Sequence, residues 1–312
     1  MNDSFLREVE TRAVQWVRQG GQRALEHFRL PLQVEFKTEG ETNPVTEADR
    51  EIEGLLRSAI AREYPDHAIL GEEGTEVDVS ERELVWVLDP VDGTTNFWNG
   101  LPLFACSAAL LWRGEPVVGA VFIPVVPLPA AAVAVAEGGG LRGMPEPLLR
   151  SGVVHARRGG GAFLDGTPIR ASSASVPLGS NLVGLPAYHA RYFHWSGESG
   201  RRPGEPRSLG SVCFEMAMVA AGVLQYSLYR RPKIWDVAAG VLAIREAGGE
   251  ALAWQGERWE PLVCFSPMPK RKKPSEVSLR HWGMSVLTGG SGVVSYAADR
   301  IMPITRPSKP TS

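Results

Sequence analysis

The sequence predicts a mixed fold of the α/β (α+β) class, because helical and strand patterns both occur along its 312 residues. An amphipathic helix is predicted to begin at a cap, Asp3 or Ser4, and to end near residue 28. The short apolar run 84–88 (LVWVL) is rich in β-forming residues and predicts a buried strand. Two further apolar runs, 104–112 and 117–123, flank a turn and predict a β-hairpin.

Composition and charge indicate a soluble globular protein. Hydrophobic residues make up 44% of the chain and charged residues 22%. The length predicts either one bilobal unit or two domains, 1–150 and 151–300, followed by a Pro- and Ser-containing tail, 301–312, that is predicted to be disordered. A net charge of −2 gives no overall field that would favour nucleic acid or an anionic membrane.

The cysteines and the N-terminus predict a cytoplasmic location. Three widely spaced cysteines, Cys106, Cys213 and Cys264, support neither a disulfide scaffold nor a zinc site. The N-terminal sequence MNDSFLREVE lacks the apolar core of a signal peptide. The apolar run 130–136 is far shorter than the roughly 20 residues that a membrane-spanning helix needs, so no membrane contact is expected.

The stretch 86–97 (WVLDPVDGTTNF) carries the strongest functional signal. Asp89 stands at the end of the predicted strand, Pro90 is expected to stop the ladder, and Asp92 follows on the bend. Two neighbouring carboxylates repel each other and are costly to bury unpaired, which a hard divalent cation would resolve. The carbonyl of Val91 offers a third oxygen ligand.

The residues after this bend favour an anion. Gly93 lets a ligand approach the backbone closely, and Thr94 offers a hydroxyl and can begin a helix whose N–H groups face an anion. A cation site and an anion cradle on one turn suggest phosphate chemistry. The alternative is that this segment is an ordinary surface turn, because short motifs produce false positives.

Three other acids have a structural interpretation beside a functional one. Asp49 is predicted to form a capping box with Thr46 at a helix start, where its carboxylate could also point outward at a ligand. Glu72 lies in a Gly-Glu-Glu-Gly turn that is typical of a solvated loop, unless the brief strand 68–70 pairs beside the Asp89 strand. Asp236 falls in the first turn of a predicted helix, where the helix dipole favours a carboxylate.

The second half of the chain offers one further candidate anion site. Gly210 and Ser211 open a strongly apolar helix, and its N-terminal N–H groups can face an anion. The stretch 124–150 is rich in Pro, Ala and Gly and supports no assignment. The glycines 159–161 are predicted to form a loop, with a phosphate cradle as the alternative that the lack of a following helix disfavours. The excursion 188–207 is predicted to lie at the surface, and the basic run 269–274 (PKRKKP) to be a solvated loop, with nucleic-acid contact or a peptide signal as the alternatives.

Four ordered segments together resemble the inositol monophosphatase family, within the lithium-sensitive, magnesium-dependent phosphatase superfamily. They are 43–49 (NPVTEAD), 71–73 (GEE), 89–97 (DPVDGTTNF) and 235–240 (WDVAAG). Segments 158–166 (RGGGAFLDG) and 246–249 (EAGG) also resemble structural signatures of that family. The resemblance spans about residues 5–290 and explains the separate acids jointly.

The resemblance implies a layered α/β/α/β/α sandwich of the sugar-phosphatase type. It assigns most metal ligands to an N-terminal α+β domain, 1–150, and the substrate side to a C-terminal α/β domain, 151–300. It implies that Mg²⁺ is the cofactor, with Glu72, Asp89 and the Val91 carbonyl holding one ion and Asp89, Asp92 and Asp236 a second. The resemblance assigns Asp49 and Thr94 the catalytic role of orienting and activating the attacking water. It assigns phosphate binding to the backbone of Gly93 and Thr94, and it places Gly210 and Ser211 on a substrate-side loop.

The implied activity is a phosphomonoesterase that hydrolyses a small phosphorylated polyol, sugar or nucleotide by metal-activated water. Carboxylates and a carbonyl are the ligands that Mg²⁺ prefers, and none of the six histidines lies in these motifs. Lithium sensitivity and a homodimer are further implications of the family. The alternatives are a 3′(2′),5′-bisphosphate nucleotidase, a histidinol-phosphatase, a fructose-1,6-bisphosphatase-like enzyme, or a non-catalytic metal- or nucleic-acid-binding module.

One segment departs from the family pattern. Family members that act on inositol phosphates carry an acid a few positions before the Trp-Asp pair, whereas residues 229–233 are YRRPK here. Cations at this place would suit a second phosphate or an acidic substrate. The alternative is that these side chains are only solvated.

Overall fold

The computed structural model describes residues 1–28, 30, 34–36, 44–74, 79, 82–126, 150–196, 204–271 and 273–304. These ranges contain seven α-helices: α1 Asp3–His27, α2 Glu47–Glu63, α3 Thr94–Trp98, α4 His189–Tyr192, α5 Val212–Ala220, α6 Ile234–Glu246 and α7 Ser291–Ala298. They also contain one 3₁₀ helix, Leu279–His281. No helix in the described ranges combines the length and the apolar character that crossing a membrane requires.

The strands in these ranges are β1 Val34–Phe36, β2 Pro44–Thr46, β3 Ala68–Gly71, β4 Leu84–Asp92, β5 Ala105–Trp112, β6 Glu115–Ile123, β7 Gly152–Arg157, β8 Gly161–Leu164, β9 Thr167–Pro168, β10 Leu182–Gly184, β11 Phe193–Trp195, β12 Glu205–Arg207, β13 Tyr226–Tyr229, β14 Gly249–Gln255, β15 Arg258–Pro261, β16 Met268–Lys270, β17 Lys273–Ser278, β18 Val286–Gly290 and β19 Ile301–Pro303. Their bounds confirm the predicted strand at 84–88 and the predicted hairpin, now β5 and β6. Helices and strands are therefore both abundant, as the mixed class requires.

Two large sheets form the framework of the molecule. The first has seven strands in the order β3-β4-β5-β6-β7-β8-β9, and the second has six in the order β12-β10-β13-β18-β14-β15. In the first sheet only the β3–β4 pair is parallel, and in the second only β10 pairs in parallel, with β12 and with β13. The remaining pairs in both sheets are antiparallel.

Helices cover the outer faces of the sheets and separate their inner faces. On one outer face α1 and α2 pack against β4–β7, and on the other α7 packs against β14 and β18. Between the sheets, α5 and α6 contact strands of both. Because apolar helix and sheet faces must be buried, each sheet has a core on either side, and the core between the two sheets is the largest. The five layers confirm the predicted α/β/α/β/α sandwich.

Several local predictions need correction. The first helix is capped by Asn2, whose side-chain oxygen accepts the Phe5 N–H, and not by Asp3 or Ser4. Pro90 does not stop the ladder: β4 continues to Asp92, which pairs with Ala105 after a register shift. Proline lacks an N–H, so the strand passes it as an irregularity and the pairing resumes beyond it.

Three segments that were predicted to be irregular or disordered contain regular structure. The basic run lies on the β16–β17 hairpin, where Glu276 pairs with both Lys270 and Lys273, and residue 272 is outside the described ranges. The excursion 188–207 contains α4 and two strands, of which β12 joins the second sheet. In the predicted tail, β19 pairs with β11, while 305–312 lie outside the described residues.

The proposed division into domains stays a prediction. The boundary at 150 separates β6 from β7, yet these neighbours pair within the first sheet, which extends to Pro168. A boundary drawn by sheet membership would therefore follow residue 168. Of the unassigned stretch 124–150, residues 127–149 lie outside the described part.

Candidate active site

The parallel β3–β4 pair places two acidic segments at one edge of the first sheet. The two strands run side by side from Ala68 and Val85 to Gly71 and Leu88. Glu72 continues the ladder, since its N–H donates to the Leu88 carbonyl at 3.2 Å. Asp89 follows Leu88 directly, so the turn that begins at Glu72 lies next to the Asp89 bend, as the strand prediction required.

Asp89 is the centre of a buried acidic cluster. Asp89 is 1% exposed, and its Oδ1 atom has no hydrogen-bond partner among the described residues. Burial raises the pKa of Asp89 well above its ordinary value, and the negative charges of four other acids raise it further. In order of effect these acids are Glu72, Asp92, Asp236 and Asp49, so all five predicted carboxylates converge.

Helix α5 binds the carboxylate of Asp92 at its N-terminus. The Ser211 hydroxyl donates to Asp92 Oδ2 at 2.5 Å, and the Cys213 N–H donates to the same oxygen at 2.6 Å. Burial raises the pKa of Asp92, and these hydrogen bonds offset part of the effect. The predicted second anion site is therefore engaged by an anion of the protein itself.

Asp236 lies in the first turn of α6, as predicted. Its Oδ2 accepts the backbone N–H of Lys233 at 2.7 Å, which completes a capping contact. Burial raises its pKa well above the ordinary value, and the charge of Asp92 adds to this effect. Asp236 therefore caps the start of α6, as the local sequence indicated, and also lies near the other acids of the cluster.

Asp49 combines a capping role with a contact to Thr94. Its Oδ2 accepts the N–H of Thr46 at 2.9 Å and the Thr46 hydroxyl at 2.5 Å, forming the predicted capping box of α2. Its Oδ1 lies 3.2 Å from Thr94 Oγ1, which is also 3.0 Å from the Val91 carbonyl. Burial raises the pKa of Asp49 to about 6.

The residues predicted to bind the substrate lie where the N-terminal and C-terminal halves of the chain are in close contact. Gly93 has φ = 88°, a left-handed conformation that favours glycine. A β-carbon at Gly93 would lie 2.9 Å from Ser211 Cβ and 3.3 Å from the Gly210 carbonyl oxygen. The structure thus brings Gly93, Gly210 and Ser211 together beside Thr94, although the Ser211 hydroxyl is already bonded to Asp92.

The cluster fits a hard divalent cation. Oxygen atoms of Asp89 and Asp92 lie with Cys213 Sγ within 4.8 Å of one another. Burial and the nearby carboxylates raise the pKa of the Cys213 thiol, so it remains protonated and is a poor ligand. Carboxylate oxygens are then the available donors, and a cation would offset their repulsion and pair the unsatisfied Asp89 oxygen.

A model of the inositol monophosphatase family matches residues 6–278 of the chain. The chain belongs to this family. Two relatives support the assignment: inositol-1-monophosphatase of Rhizobium meliloti is 35% identical over 228 residues, covering 70% of this chain and 74% of that protein. Nus factor SuhB of Escherichia coli K12 is 32% identical over 244 residues, covering 76% of this chain and 82% of that protein.

Solved structures of the family share the fold. Inositol monophosphatase from Anabaena superposes with a TM-score of 0.65 at 24% sequence identity, covering 94% of this chain and 95% of that one.

The glycine-rich segment 158–166 has a structural role in this chain. The N–H groups of Gly159 and Gly161 donate to the Glu246 carboxylate at 2.8 and 2.9 Å, so the loop binds a side chain of α6, in agreement with the loop prediction.

The segment that departs from the family pattern forms the loop between β13 and α6, and the charge of its last residue, Lys233, offsets part of the rise that burial causes in the pKa of Asp236. Arg230 and Arg231 are exposed on the loop between β13 and α6. The guanidinium of Arg230 lies 3.9 Å from the centre of the Tyr192 ring, and Arg231 Nε donates to the Gly283 carbonyl at 3.2 Å. Lys233 ends this loop immediately before the helix that carries Asp236.

Sequence reasoning missed several residues that hold the site in place. Cys213 donates its N–H to Asp92 and its thiol to the Asp236 carbonyl oxygen at 3.2 Å. Asn96 donates to the carbonyls of Leu103 and Leu209 at 2.7 and 2.6 Å, which fixes the approach to Gly210. Asn96 belongs to the predicted motif and could have been singled out, whereas the partners of Cys213 are distant in sequence and left no local signal.

Proposed function

We propose that this protein is a Mg²⁺-dependent phosphomonoesterase that hydrolyses a small phosphorylated polyol, sugar or nucleotide. The observation that carries the proposal is the buried Asp89, with one unpaired oxygen and four other acids around it. Burying so much like charge without a cation would be strongly destabilising. Family membership supports phosphate monoester hydrolysis as the chemistry that such a centre performs.

The ligands are those that the family resemblance assigns. Glu72, Asp89 and the Val91 carbonyl would hold one Mg²⁺, and Asp89, Asp92 and Asp236 would hold a second. When bound, the ions neutralise charge on the phosphoryl oxygens and lower the pKa of water. The backbone at Gly93 and Thr94 receives the phosphate, and Gly210 lies at the substrate side.

Thr94 and Asp49 accept the proton of the attacking water. The Thr94 hydroxyl passes its proton to Asp49 Oδ1, 3.2 Å away, while its oxygen accepts the proton of the water. Burial raises the pKa of Asp49 to about 6, which suits a base that works near neutral pH. The water oxygen bonds to phosphorus, the ester P–O bond breaks, and the leaving alkoxide takes a proton from solvent, giving an alcohol and inorganic phosphate.

Asp89→Asn tests the proposal. Loss of one carboxylate should lower Mg²⁺-dependent phosphate release by about a hundredfold or more, because a direct ligand matters at least as much as the groups that orient ligands. The folded state should not be weakened in chelator, because one buried negative charge is removed. The matched control is Asp66→Asn, an exposed acid before β3, which should keep full activity. Equal activity of Asp89→Asn and wild type would reject the proposal.

The cations between β13 and α6 favour a substrate with a second anionic group. Arg230, Arg231 and Lys233 lie on the loop that leads directly to Asp236, so an anion beside the scissile phosphate would meet positive charge. Bisphosphorylated sugars or nucleotides should then have a lower KM than the corresponding monophosphates. They should also have a lower KM than histidinol phosphate, which carries a single phosphate. Arg231→Ala should remove the preference without lowering kcat for monophosphates; a panel of phosphoesters assayed for released phosphate tests this.

A non-catalytic nucleic-acid-binding role is the rival of another class. Its sequence basis is the basic run, but Glu276 pairs with Lys270 and Lys273 at 3.0 and 2.9 Å and offsets part of that charge. A protein with this role would bind RNA or DNA with a steep salt dependence and would release no phosphate. Phosphate release that depends on Asp89 would exclude it as the sole function.

The remaining family properties complete the proposal. A homodimer in the cytoplasm is expected, and Trp98 and Leu101 provide exposed apolar surface close to the site, at 44% and 45% exposure. Light scattering on the purified chain would measure the oligomer. Lithium is expected to inhibit phosphate release by competing at the Mg²⁺ site, so that raising the Mg²⁺ concentration relieves the inhibition.

A further inference from the structure

Residues 268–271 and 273–282, which we call the arm, connect the second sheet back to the acidic cluster. The arm consists of the β16–β17 hairpin and the 3₁₀ turn Leu279–His281, and it ends at Trp282. Trp282 is 2% exposed and packs edge-on against Phe265, with ring centres 4.8 Å apart. The Phe265 N–H donates to the Gly114 carbonyl at 2.9 Å, so the segment just before the arm is fixed to the β5–β6 turn of the first sheet.

The arm places one guanidinium on the turn that carries Glu72. Ser278 accepts the N–H of Arg280 at 3.2 Å and thereby caps the 3₁₀ turn. The two terminal nitrogens of Arg280 donate to the carbonyls of Gly71 and Glu72, each at 2.7 Å. These are charge-assisted hydrogen bonds from a rigid fork, which fix the direction of two successive peptide groups.

The same guanidinium contacts the helix that carries Asp236. Its central carbon lies 5.0 Å from the centre of the Trp235 ring, within the range of a cation–π contact. Trp235 is 7% exposed and directly precedes Asp236. Arg280 therefore contacts the backbone of Glu72 and the residue that precedes Asp236, two acids from opposite halves of the chain.

The turn at Glu72 is held from both sides. Glu53 of α2 accepts the N–H of Glu73 at 2.7 Å, while Arg280 binds the two preceding carbonyls. A β-carbon at Gly71 would lie 2.4 Å from Glu53 Oε1, so the carboxylate fits tightly against the turn. A donor on one side and an acceptor on the other leave the backbone of this turn little freedom to rotate.

We propose that Arg280 is a positioning residue for the metal centre: it fixes the Glu72 carboxylate relative to Asp236 by bridging the β3 turn and Trp235. This rests on the proposed metal-dependent function of the same acids. Arg280 does not reach the reacting atoms itself. The arm is thus part of the site through a single side chain, although its hairpin lies outside the acidic motifs.

The test is metal binding to the full-length chain, measured by calorimetry with Mn²⁺ after removal of bound metal. Arg280→Ala should weaken Mn²⁺ binding by about tenfold or more, as loss of a group that orients a ligand does elsewhere. Arg271→Ala, which removes an exposed arginine from the same arm, should leave the affinity unchanged. Arg280→Lys keeps the charge but not the fork, so it should lie between wild type and Arg280→Ala.

Melting temperatures in chelator separate positioning from simple stability. A lower melting temperature of Arg280→Ala with wild-type Mn²⁺ affinity would overturn the proposal, because the residue would then only support the fold. Failure of the wild-type chain to bind Mn²⁺ would instead overturn the proposed function. If Arg280→Ala does not yield folded protein, the affinity of Arg280→Lys decides, and a wild-type value would again contradict the role.

Discussion

At the scale of single residues, Asp49 shows how one side chain serves structure and site together. The sequence alone left its interpretation open between a helix cap and a ligand-facing acid. The structure assigns one oxygen to each: Oδ2 caps α2 through Thr46, and Oδ1 lies next to Thr94. A capping box positions its acid rigidly, so the contact with Thr94 needs no additional element.

Replacing Thr94 by valine tests the proton path at this scale. The change removes the hydroxyl and keeps the side-chain shape, so phosphate release should fall by about a hundredfold, the lower end of general-base effects. Thr95→Val, an exposed neighbour on the same helix, is the matched control and should keep wild-type kcat. A steady-state assay at saturating Mg²⁺ makes the comparison, and similar rates for both variants would contradict the assignment.

At the scale of elements, the start of α5 was predicted correctly but its partner was not. The sequence indicates a helix that opens after Gly210 and Ser211 and therefore a place for an anion. It does not indicate that Asp92, which is distant in the chain, provides that anion. The continuation of β4 beyond Pro90 was missed for a related reason, because the pairing of Asp92 with Ala105 depends on the neighbouring strand.

Ser211→Ala should destabilise the protein at the start of this helix. The variant loses both the hydroxyl that donates to Asp92 and the oxygen that accepts the Phe214 N–H at 3.2 Å. Loss of an N-cap of this kind lowers the free energy of unfolding by about 1–2 kcal/mol. Urea unfolding in chelator measures it, with exposed Ser208→Ala as the control; an equal unfolding midpoint for the two variants would refute the capping role.

At the scale of the whole molecule, the layered fold was predicted from the family resemblance of four motifs. It was not predicted from the pairing of the individual strands. The capping box, the Asp89 bend and the Trp-Asp helix are local patterns, and each was found where it was expected. The pairing of the basic segment into a hairpin and the reach of Arg280 to Gly71 have no local signal. The hairpin joins neighbouring segments whose charged residues do not show the alternation typical of strands, and the Arg280 contact joins residues far apart in the chain, which a single sequence does not specify.

The buried acids make stability depend on pH in an unusual direction. Burial raises the pKa of Asp49 to about 6 and those of Asp89, Asp92 and Asp236 above their ordinary value of 3.8. Between the unfolded and folded pKa values, the folded state binds more protons, so its stability falls as the pH rises. Glu10, whose pKa is lowered despite burial by its hydrogen bonds to His155 and Arg157, acts oppositely below about pH 4.5. Burial lowers the pKa of His67 from 6.5, so this single group also acts oppositely below about pH 6.5, against the four acids.

The metal-free protein should therefore melt at a higher temperature at pH 5.5 than at pH 7.5. Saturating Mg²⁺ should reverse the order, because the cation binds the ionised carboxylates and stabilises the folded state by mass action. Thermal unfolding followed by circular dichroism, in chelator and in Mg²⁺, measures both curves. In Asp89→Asn the rise toward acid pH should be smaller; a metal-free wild type that is most stable at pH 7.5 would contradict the interpretation.

The bond between Asp92 and the first turn of α5 also bears on dissection of the protein. An N-terminal fragment that stops before Ser211 would keep Glu72, Asp89 and Asp92, yet its Asp92 would lose both donors. A C-terminal fragment would carry Asp236 and those donors without a bend to receive them. When the two fragments are expressed separately and mixed, phosphate release should return only if they reassociate. Released phosphate would therefore measure their association.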